Sequence, residues 1–496
     1  MINLTELLHS YYINSYGPLT LPVRQFTLHS AVPNEHGVFF CKSGKRSGLD
    51  YVDEAVANGA ICVIGTDPSL LVERESHPGV TFIIVSDLSP VITLLLRTVY
   101  NSAFDEMEFF GVTGTNGKTT VTYMISTLLN RFGFKTGSVG TEGVMTSDLQ
   151  PMDYNKTTPT TPEAPELARI ISHFHSESYQ TMVYEATSIA LDQERTKFIP
   201  VDTGVFTNFS RDHMDYHETI EHYLNSKMKL AEAARTLVFS LDSPVFRPLK
   251  DFGKPVRTFS LLDAAADFYG ERITYDENGS RFVLHADGER FDVYTPFIGE
   301  HNIYNLLSAF AVLYDKGIPV RAIVEEAAKL PPLRNRFQLL TVCERRFILD
   351  FAHTPAALEK SLSAARTLAD GKLIAMVNGI GLRGIDKVKK MAETLSPAVD
   401  SVVLGAEQVG YVEPSLVIRA MQEALPPGVS KDRVTTAMSR KEAIAACIEQ
   451  SSPGDTILLT GINEPQHYKG TLIPHDDIEE ISNHFSASCA DLKSLS

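Results

Sequence analysis

The sequence predicts an α/β protein of more than one domain, built mainly on parallel sheets. Apolar runs of strand length alternate with segments of helical periodicity over most of the chain, which is typical of stacked βα units. A glycine-rich loop joins one of these strands to a helix near the end of the first quarter of the chain. The 496 residues exceed what one hydrophobic core supports, so two to four domains are expected.

Composition and charge exclude several classes of protein. Lys and Arg number 45 against 61 Asp and Glu, and the net charge of −16 disfavours nucleic acid or an anionic membrane as a partner. Hydrophobic residues make up 43%, which excludes a largely disordered chain. The sequence has no signal-peptide pattern, no long apolar span and five cysteines without CxxC spacing. We therefore expect a cytoplasmic protein.

Two breaks in the pattern divide the chain into segments 1–104, 105–335 and 336–496. The first break precedes the strand of the glycine-rich unit, and the second lies at the proline-containing stretch 330–336. Residues 255–298 alternate over short strands around a turn, which predicts an antiparallel insertion. The third segment starts a new series of strands interspersed with helical segments, with strand candidates at 373–377, 401–404 and 456–459.

Polar residues stand at the ends of three predicted strands. Glu185 follows the apolar run from Thr181, Asn208 follows a run that begins at Val205, and Asp350 follows a run that begins at Phe347. In open α/β sheets, ligands bind at the carboxyl ends of the strands. These three positions are therefore favoured for chemistry.

The glycine-rich loop predicts a site for a nucleoside triphosphate with Mg²⁺. Its residues are Gly114, Thr115, Asn116, Gly117, Lys118, Thr119 and Thr120. A loop between a strand and a helix turns backbone N–H groups toward phosphate oxygens. Lys118 would reach the terminal phosphates, and Thr119 would offer a hydroxyl to Mg²⁺. Val112 stands where the common pattern has its first glycine, and a turn that merely starts a helix is the alternative.

Further motifs follow the loop in a specific order. Taken singly, Glu185, His213 and Lys227 fit a strand end, a solvated loop and a surface lysine. Together the motifs make the chain resemble, over essentially its whole length, the Mur ligases, and within them the members that add the third residue of the peptidoglycan precursor. The motifs are Thr160–Glu163, Glu185–Ser188, Asp212–His213, Lys227, Gly299–Asn305, Asp350–Pro355 and Gly454–Asp455.

This resemblance implies a three-domain Mur ligase architecture. Segment 1–104 would bind the UDP precursor, segment 105–335 would be a P-loop ATPase-type domain on a mostly parallel sheet, and segment 336–496 would be a Rossmann-like domain for the amino acid. The carboxylate of UDP-N-acetylmuramoyl-L-alanyl-D-glutamate would attack the γ-phosphate of ATP, giving an acyl phosphate and ADP. The amine of the amino acid would then displace phosphate. We expect a monomer.

The resemblance also assigns roles to single residues. Lys118, Glu185, His213 and Lys227 would be catalytic. Mg²⁺ would be bound by Thr119, Glu185, His213 and a carbamylated Lys227, since a carbamate supplies anionic oxygens where an ammonium would repel the ion. Besides the loop 114–120, the ATP-binding residues would be Asn208, Asn302, Asn305, Arg336, Asp350 and His353. The residues for the UDP-muramoyl dipeptide would be Ser30, Thr160, Thr161, Thr187, Gln193 and Arg195.

Two parts of the pattern depart from the family. The neighbours of Ser30 are His29 and Ala31 instead of Asp and Arg, so a plain turn serine is the alternative there. In the third segment, the family's Asp-Asn-Pro-Arg motif aligns with 407–410, which has no cation for the second carboxylate of diaminopimelate. We therefore expect L-lysine to be preferred over meso-diaminopimelate. The expected amino-acid pocket consists of Arg383, Glu407 and Glu464.

Two other functions stay open. A paralogue could use the same ATP machinery on a different carboxylate and amine in specialised metabolism, although Thr160, Thr161, Gln193 and Arg195 favour the muramoyl substrate. An ATP-binding regulatory relative could have lost ligation altogether. The complete set of catalytic residues argues against that second alternative, while the divergent third segment argues for it.

Overall fold

The computed structural model describes residues 1–42, 44, 46–154, 157–395 and 398–485. Three sheets, of five, ten and six strands, follow one another along this described part of the chain, and two short two-stranded sheets accompany them. The predicted α/β class is confirmed. No helix of these residues is long and apolar enough to cross a membrane. Cys489, one of the five cysteines, lies outside the described residues.

The first sheet occupies residues 12–85. Its strands in spatial order are Tyr12–Tyr16, Thr81–Val85, Ala60–Gly65, Gly37–Cys41 and Gln25–Thr27. All pairs are parallel except the first. Every residue of Thr81–Val85 is buried, as expected for a parallel strand covered on both faces. The helices of this segment are Leu4–Leu7, Val52–Ala57, Leu88–Val99 and Asn101–Glu106, with 3-10 helices at Gly48–Tyr51 and Pro68–Glu75. Ile2–Asn3 pairs with Thr20–Leu21.

The middle sheet has ten strands. Their spatial order is Gly143–Met145, Thr136–Gly140, Thr181–Glu185, Glu108–Thr113, Thr203–Phe206, Thr236–Ser240, Val256–Ser260, Phe268–Asp276, Gly279–Ala286 and Glu289–Thr295. The pairs from Thr136–Gly140 to Phe268–Asp276 are parallel. The expected antiparallel insertion is present with its turn at Asp276–Gly279, but it extends this sheet, and its first strand is parallel.

The helices of the middle segment cover both faces of that sheet. They are Lys118–Arg131, Ala164–Ser176, Ser188–Asp192, Ile220–Ala233, Glu300–Asp315 and Val320–Ala327, with a 3-10 helix at Pro244–Asp251. In the helix that follows the glycine-rich loop, the apolar positions Val121, Met124, Ile125, Leu128 and Leu129 are fully buried, which confirms the predicted core face.

The third sheet is doubly wound, in line with the Rossmann-like expectation. Its order is Gln338–Val342, Arg345–Asp350, Thr456–Thr460, Leu373–Ile380, Ser401–Glu407 and Val434–Ala437, parallel except for the first pair. The helices are Pro355–Leu368, Ile385–Glu393, Pro414–Glu423, Arg440–Glu449 and Asp477–Phe485, with 3-10 turns at Gly381–Arg383 and Lys431–Arg433. The hairpin Gln466–Tyr468 and Thr471–Ile473 follows the last parallel strand.

One buried core continues from the first segment into the middle one. The Phe104 ring packs against Phe109 and Phe198, with centroid distances of 6.2 and 5.5 Å. Burial of large aromatic rings on both sides makes this a stable contact. The boundaries at 104 and 335 fall between the sheets and remain predictions.

Candidate active site

A cleft of about 580 Å³ lies between the middle and third segments, at the carboxyl ends of both sheets. The middle segment contributes the glycine-rich loop and the residues that follow its strands. The third segment contributes residues that follow the strands Arg345–Asp350 and Leu373–Ile380. The predicted residues that line the cleft are Thr115, Asn116, Gly117, Lys118, Thr119, Thr120, Thr160, Glu185, Thr187, Asn208, His213, Asn302, Asn305, Arg336, Asp350, His353, Arg383 and Glu464.

The neighbouring strand end fixes the shape of the glycine-rich loop. Asn208 accepts a hydrogen bond from the Asn116 N–H at 3.0 Å and returns one to the Asn116 carbonyl, also at 3.0 Å. The Thr115 N–H donates to the Asn208 carbonyl at 2.9 Å. Asn208, predicted as an ATP contact, therefore also supports the loop. The loop joins the strand Glu108–Thr113 to a helix that begins at Lys118, which confirms the predicted strand–loop–helix order.

Both glycines of this loop are needed for its geometry. Gly114 and Gly117 have φ values of 146° and 86°, which side-chain-bearing residues rarely adopt. A Cβ on Gly114 would overlap the Thr207 hydroxyl, and one on Gly117 would overlap the Asn305 amide. The loop can therefore adopt this conformation only with glycine at both positions, which leaves its backbone accessible to a ligand.

Two lysines meet at the carbonyl of Gly114. The Lys118 ammonium donates to the carbonyls of Gly114 and Thr115, both at 3.0 Å. Lys227 comes from the helix Ile220–Ala233, is 1% exposed and donates to Gly114 at 2.8 Å. Burial is the main cause that lowers the pKa of both amines, and the charge of Lys118 lowers the pKa of Lys227 further.

Glu185 is buried at the end of its strand. Its carboxylate accepts from the Thr141 N–H at 2.8 Å and from the Thr141 hydroxyl at 3.3 Å. The Thr161 hydroxyl donates to the Glu185 carbonyl at 2.7 Å and lies 3.0 Å from the Thr187 hydroxyl. Thr161 is buried and stands behind the cleft wall, so its contacts fix Glu185 and Thr187 in place.

His213 and Asp212 meet two cations of the third segment. Lys387 Nζ lies 2.5 Å from Asp212, and Arg383 lies 3.5 Å from His213 Nδ1. Burial, aided by the nearby charges of Arg383 and Lys118, lowers the pKa of His213 to about 3 even though Asp212 opposes this. The imidazole is therefore neutral at physiological pH and keeps a lone pair for a ligand.

Arg336 enters the cleft at the junction of the two segments. Its guanidinium lies 4.1 Å from the centroid of the Phe351 ring and 3.4 Å from Glu142 of the middle segment. The buried Arg336 Nε has no hydrogen-bond partner among the described residues. Asn335 has a φ of 57°, a conformation that asparagine tolerates.

Several predicted site residues lie outside the cleft lining. Gln193 and Arg195 pair with each other at 2.6 Å, and Arg195 also pairs with Glu163 at 3.0 Å. Ser30, in the first segment, donates to Glu54. The assignment of Glu407 to the amino-acid pocket is wrong: its side chain is fully buried and paired with Arg440 at 2.6 Å, so its carboxylate cannot meet a substrate ammonium.

Sequence reasoning missed other residues of this region. Asp242, Tyr304 and Lys360 line the cleft, and the Tyr304 hydroxyl donates to Asp242 at 2.8 Å. Asp242 follows the strand Thr236–Ser240, so the strand-end rule could have found it. Lys387 stands on an ordinary amphipathic helix, and no local pattern marks it.

Comparisons with known proteins agree with this geometry. The Mur ligase middle domain matches residues 112–313, and the Mur ligase glutamate ligase domain matches residues 335–463. UDP-N-acetylmuramoyl-L-alanyl-D-glutamate–2,6-diaminopimelate ligase 1 of Clostridium acetobutylicum is 30% identical over 95% of this chain and 96% of its own. UDP-N-acetylmuramyl-tripeptide synthetase 2 of Oceanobacillus iheyensis is 30% identical over 96% and 97%. A solved structure of a UDP-N-acetylmuramoyl-L-alanyl-D-glutamate–2,6-diaminopimelate ligase superposes with a TM-score of 0.68 at 25% identity, covering 98% of this chain and 99% of that one.

The fold, the cleft and these matches define an ATP-dependent, ADP-forming amide ligase. The chain belongs to the Mur ligase family, because the matched domains cover most of its length and relatives align from end to end. The expected three-domain architecture is thereby confirmed.

Proposed function

We propose that this protein joins an amino acid to the D-glutamyl carboxylate of UDP-N-acetylmuramoyl-L-alanyl-D-glutamate during synthesis of the peptidoglycan precursor. The observation that carries the proposal is the lining of the cleft. One side consists of the glycine-rich loop and Glu185, and the other side includes Arg383 and Glu464. The relatives' names point to the same nucleotide substrate.

In the proposed reaction, the substrate carboxylate attacks the γ-phosphate of ATP, and ADP leaves. Lys118 would release its two loop carbonyls and bind the terminal phosphates, where it neutralises charge on the transferring group. Arg336 has a buried donor without a described partner, so it can hold a phosphate or the acyl phosphate from the other side. The amine then displaces phosphate from the acyl phosphate.

The donor set of the cleft fits Mg²⁺. Thr119 offers a hydroxyl, Glu185 a carboxylate and His213 a neutral imidazole, all facing the same cleft. Within the described residues, the only group of three ionisable ligand atoms within 4.8 Å of one another is Asp53, Glu73 and His77, in the first segment. The cleft residues would therefore hold the ion together with phosphate oxygens, and the ion would neutralise phosphate charge.

A carbamate on Lys227 belongs to the same proposal. Carbamylation requires a neutral amine, and burial lowers the pKa of this amine well below its ordinary value. The Lys227 amine stands 2.8 Å from the Gly114 carbonyl, which belongs to the same loop as Thr119. The observations that support a carbamate are this burial and this placement.

L-lysine remains our proposed amino acid, with meso-diaminopimelate, named in several relatives, as the competing outcome. Glu464 lines the cleft and can meet a side-chain ammonium. Lys387 pairs with Asp212 and Arg440 pairs with two buried carboxylates, so neither of these cations is available to a second substrate carboxylate. A second carboxylate on the substrate would depend on Arg383, which lines the cleft 3.5 Å from the His213 imidazole, and use of that contact would favour meso-diaminopimelate.

ADP release with the UDP-dipeptide and a panel of amines tests the proposal. We expect release to require both ATP and UDP-N-acetylmuramoyl-L-alanyl-D-glutamate and to be stimulated by one amine class. Turnover only with another carboxylate would favour the paralogue, and nucleotide binding without turnover would favour the regulatory relative.

A further inference from the structure

A buried ion cluster lies beneath the amino-acid end of the cleft. Its centre is Arg440, which is 1% exposed and is the first residue of the helix Arg440–Glu449. Arg440 donates to Asp477 from Nε at 2.8 Å and from Nη2 at 2.5 Å. Its Nη1 donates to Glu407 at 2.6 Å and to the Thr460 carbonyl at 2.8 Å. The guanidinium therefore joins three separate parts of the third segment.

The cluster also holds the loop that lines the cleft. Glu407 accepts from the Ile462 N–H at 3.0 Å, and the Asp477 N–H donates to the Asn463 side chain at 2.9 Å. Ile462 and Glu464 line the cleft on either side of Asn463. Glu407 through its carboxylate and Asp477 through its backbone N–H are thus each one hydrogen bond away from the loop that would face the amino acid.

The same loop is tied to the junction with the middle segment. The Asn463 amide donates to the Asn335 side chain at 3.0 Å, and Asn335 directly precedes Arg336. Asn463 therefore connects the Arg440 cluster to the arginine proposed to face the phosphates.

Gly461 shows how closely the loop lies on the ions. A Cβ on this residue would come within 2.5 Å of the Glu407 carboxylate and 2.8 Å of the Arg440 guanidinium. Its φ of 105° is also rarely adopted by other residues. The loop therefore passes directly over the ion cluster, with no room for a side chain at position 461.

Buried ion clusters of this kind contribute little to the free energy of unfolding, since apolar residues of similar volume often stabilise a fold as well or better. Their directional hydrogen bonds do fix geometry. We propose that Arg440 is a positioning residue for amino-acid selection. It holds the loop 461–464 so that Glu464 faces the incoming amino acid, and it couples that loop through Asn463 to Arg336. This inference rests on the proposed ligase function.

Asn463→Ala tests the coupling without opening the ion cluster. We expect the KM for L-lysine, or for whichever amine the wild type uses, to rise at least about 10-fold, with the KM values for ATP and the UDP-dipeptide within about 2-fold of wild type. Arg440→Lys keeps the charge but loses the fork, so it should raise the same KM further. Gln422→Ala, an exposed position in the third segment, serves as the matched control and should change none of these constants.

Hydrogen exchange supplies a readout that does not need turnover. The Ile462 and Asp477 amides should exchange faster in Asn463→Ala and Arg440→Lys, while amides of the central strand Leu373–Ile380 stay protected. An unchanged KM for the amine, an equal rise in the KM for ATP, or unchanged exchange at Ile462 would overturn the proposal. Absence of ligation by the wild type would instead refute the proposed function, and the exchange data would still decide whether Arg440 holds the loop.

Discussion

Replacing Lys227 should raise the free energy of unfolding and lower the activity. Its amine is fully buried, and burial followed by the charge of Lys118 lowers its pKa well below the ordinary value. At a pH between the lowered and the ordinary pKa, the unfolded chain therefore binds more protons at Lys227 than the folded chain does. Because of this difference, Lys227 reduces the free energy of unfolding, and the reduction grows as the pH falls from about 10.4 toward the lowered pKa.

The contacts of Lys227 set the size of the effect. Lys227→Met keeps most of the apolar stem and loses the hydrogen bond to Gly114, worth about 0.5–1.5 kcal/mol. The Gly114 carbonyl keeps a donor, because Lys118 also lies 3.0 Å from it. Folding also costs Lys227 its proton, at about 1.4 kcal/mol for each pH unit below about 10.4 until the lowered pKa is reached. Lys227→Met is free of that cost, so we expect a net gain of about 1–3 kcal/mol in the free energy of unfolding at pH 8. For a domain of this size, the Tm should rise by about 2–4 °C per kcal/mol.

Activity should change in the opposite direction. If the carbamate of Lys227 helps to hold the metal, kcat should fall at least about 1000-fold in Lys227→Met, or about 4 kcal/mol in the transition state. Acetate should partly restore Lys227→Ala. The assays are calorimetry after removal of CO₂ and steady-state ADP release, with the exposed Lys250→Met as the matched control. A destabilised Lys227→Met, or one with wild-type turnover, would refute the reasoning.

Four further outcomes are expected. Lys118→Ala should abolish phosphate release, because no other side chain of the loop carries a positive charge to the phosphates; wild-type turnover would remove the loop from the mechanism. The kcat/KM for L-lysine should exceed that for meso-diaminopimelate at least about 100-fold, or about 2.7 kcal/mol, and equal use of both would overturn this preference. Lys387→Met should lower kcat by leaving the buried Asp212 unpaired, whereas exposed Lys431→Met should not, as ADP release will show. His213 and His353 have pKa values of about 3 and stay neutral in the folded chain, whereas the unfolded chain binds a proton at each as the pH falls. The free energy of unfolding should therefore fall from pH 7 to pH 5 by at most about 2 kcal/mol for each of them. Denaturant titrations of the His353→Gln variant should show a smaller fall.

Much of the nucleotide half of the site could be predicted from the sequence. The glycine-rich loop, Lys118 and Thr119 are neighbours in the chain, so a local strand–loop–helix pattern determines their geometry. Glu185 and Asn208 come from distant parts of the chain, but parallel strands bring their carboxyl ends to one edge. The order of the motifs also pointed to the family, although residue roles within the site remain predictions.

Only the tertiary structure decided how the charges pair. Glu407 looked like a pocket carboxylate, yet Arg440, 33 residues further along, neutralises it in the core. Lys387 and Asp212, which stand 175 residues apart, form an ion pair across the cleft. Neither pairing leaves a local pattern, since side chains far apart in the chain become partners only after several strands and helices have packed. The sequence thus determined the fold class and the phosphate loop, and packing determined which charges remain available for a substrate.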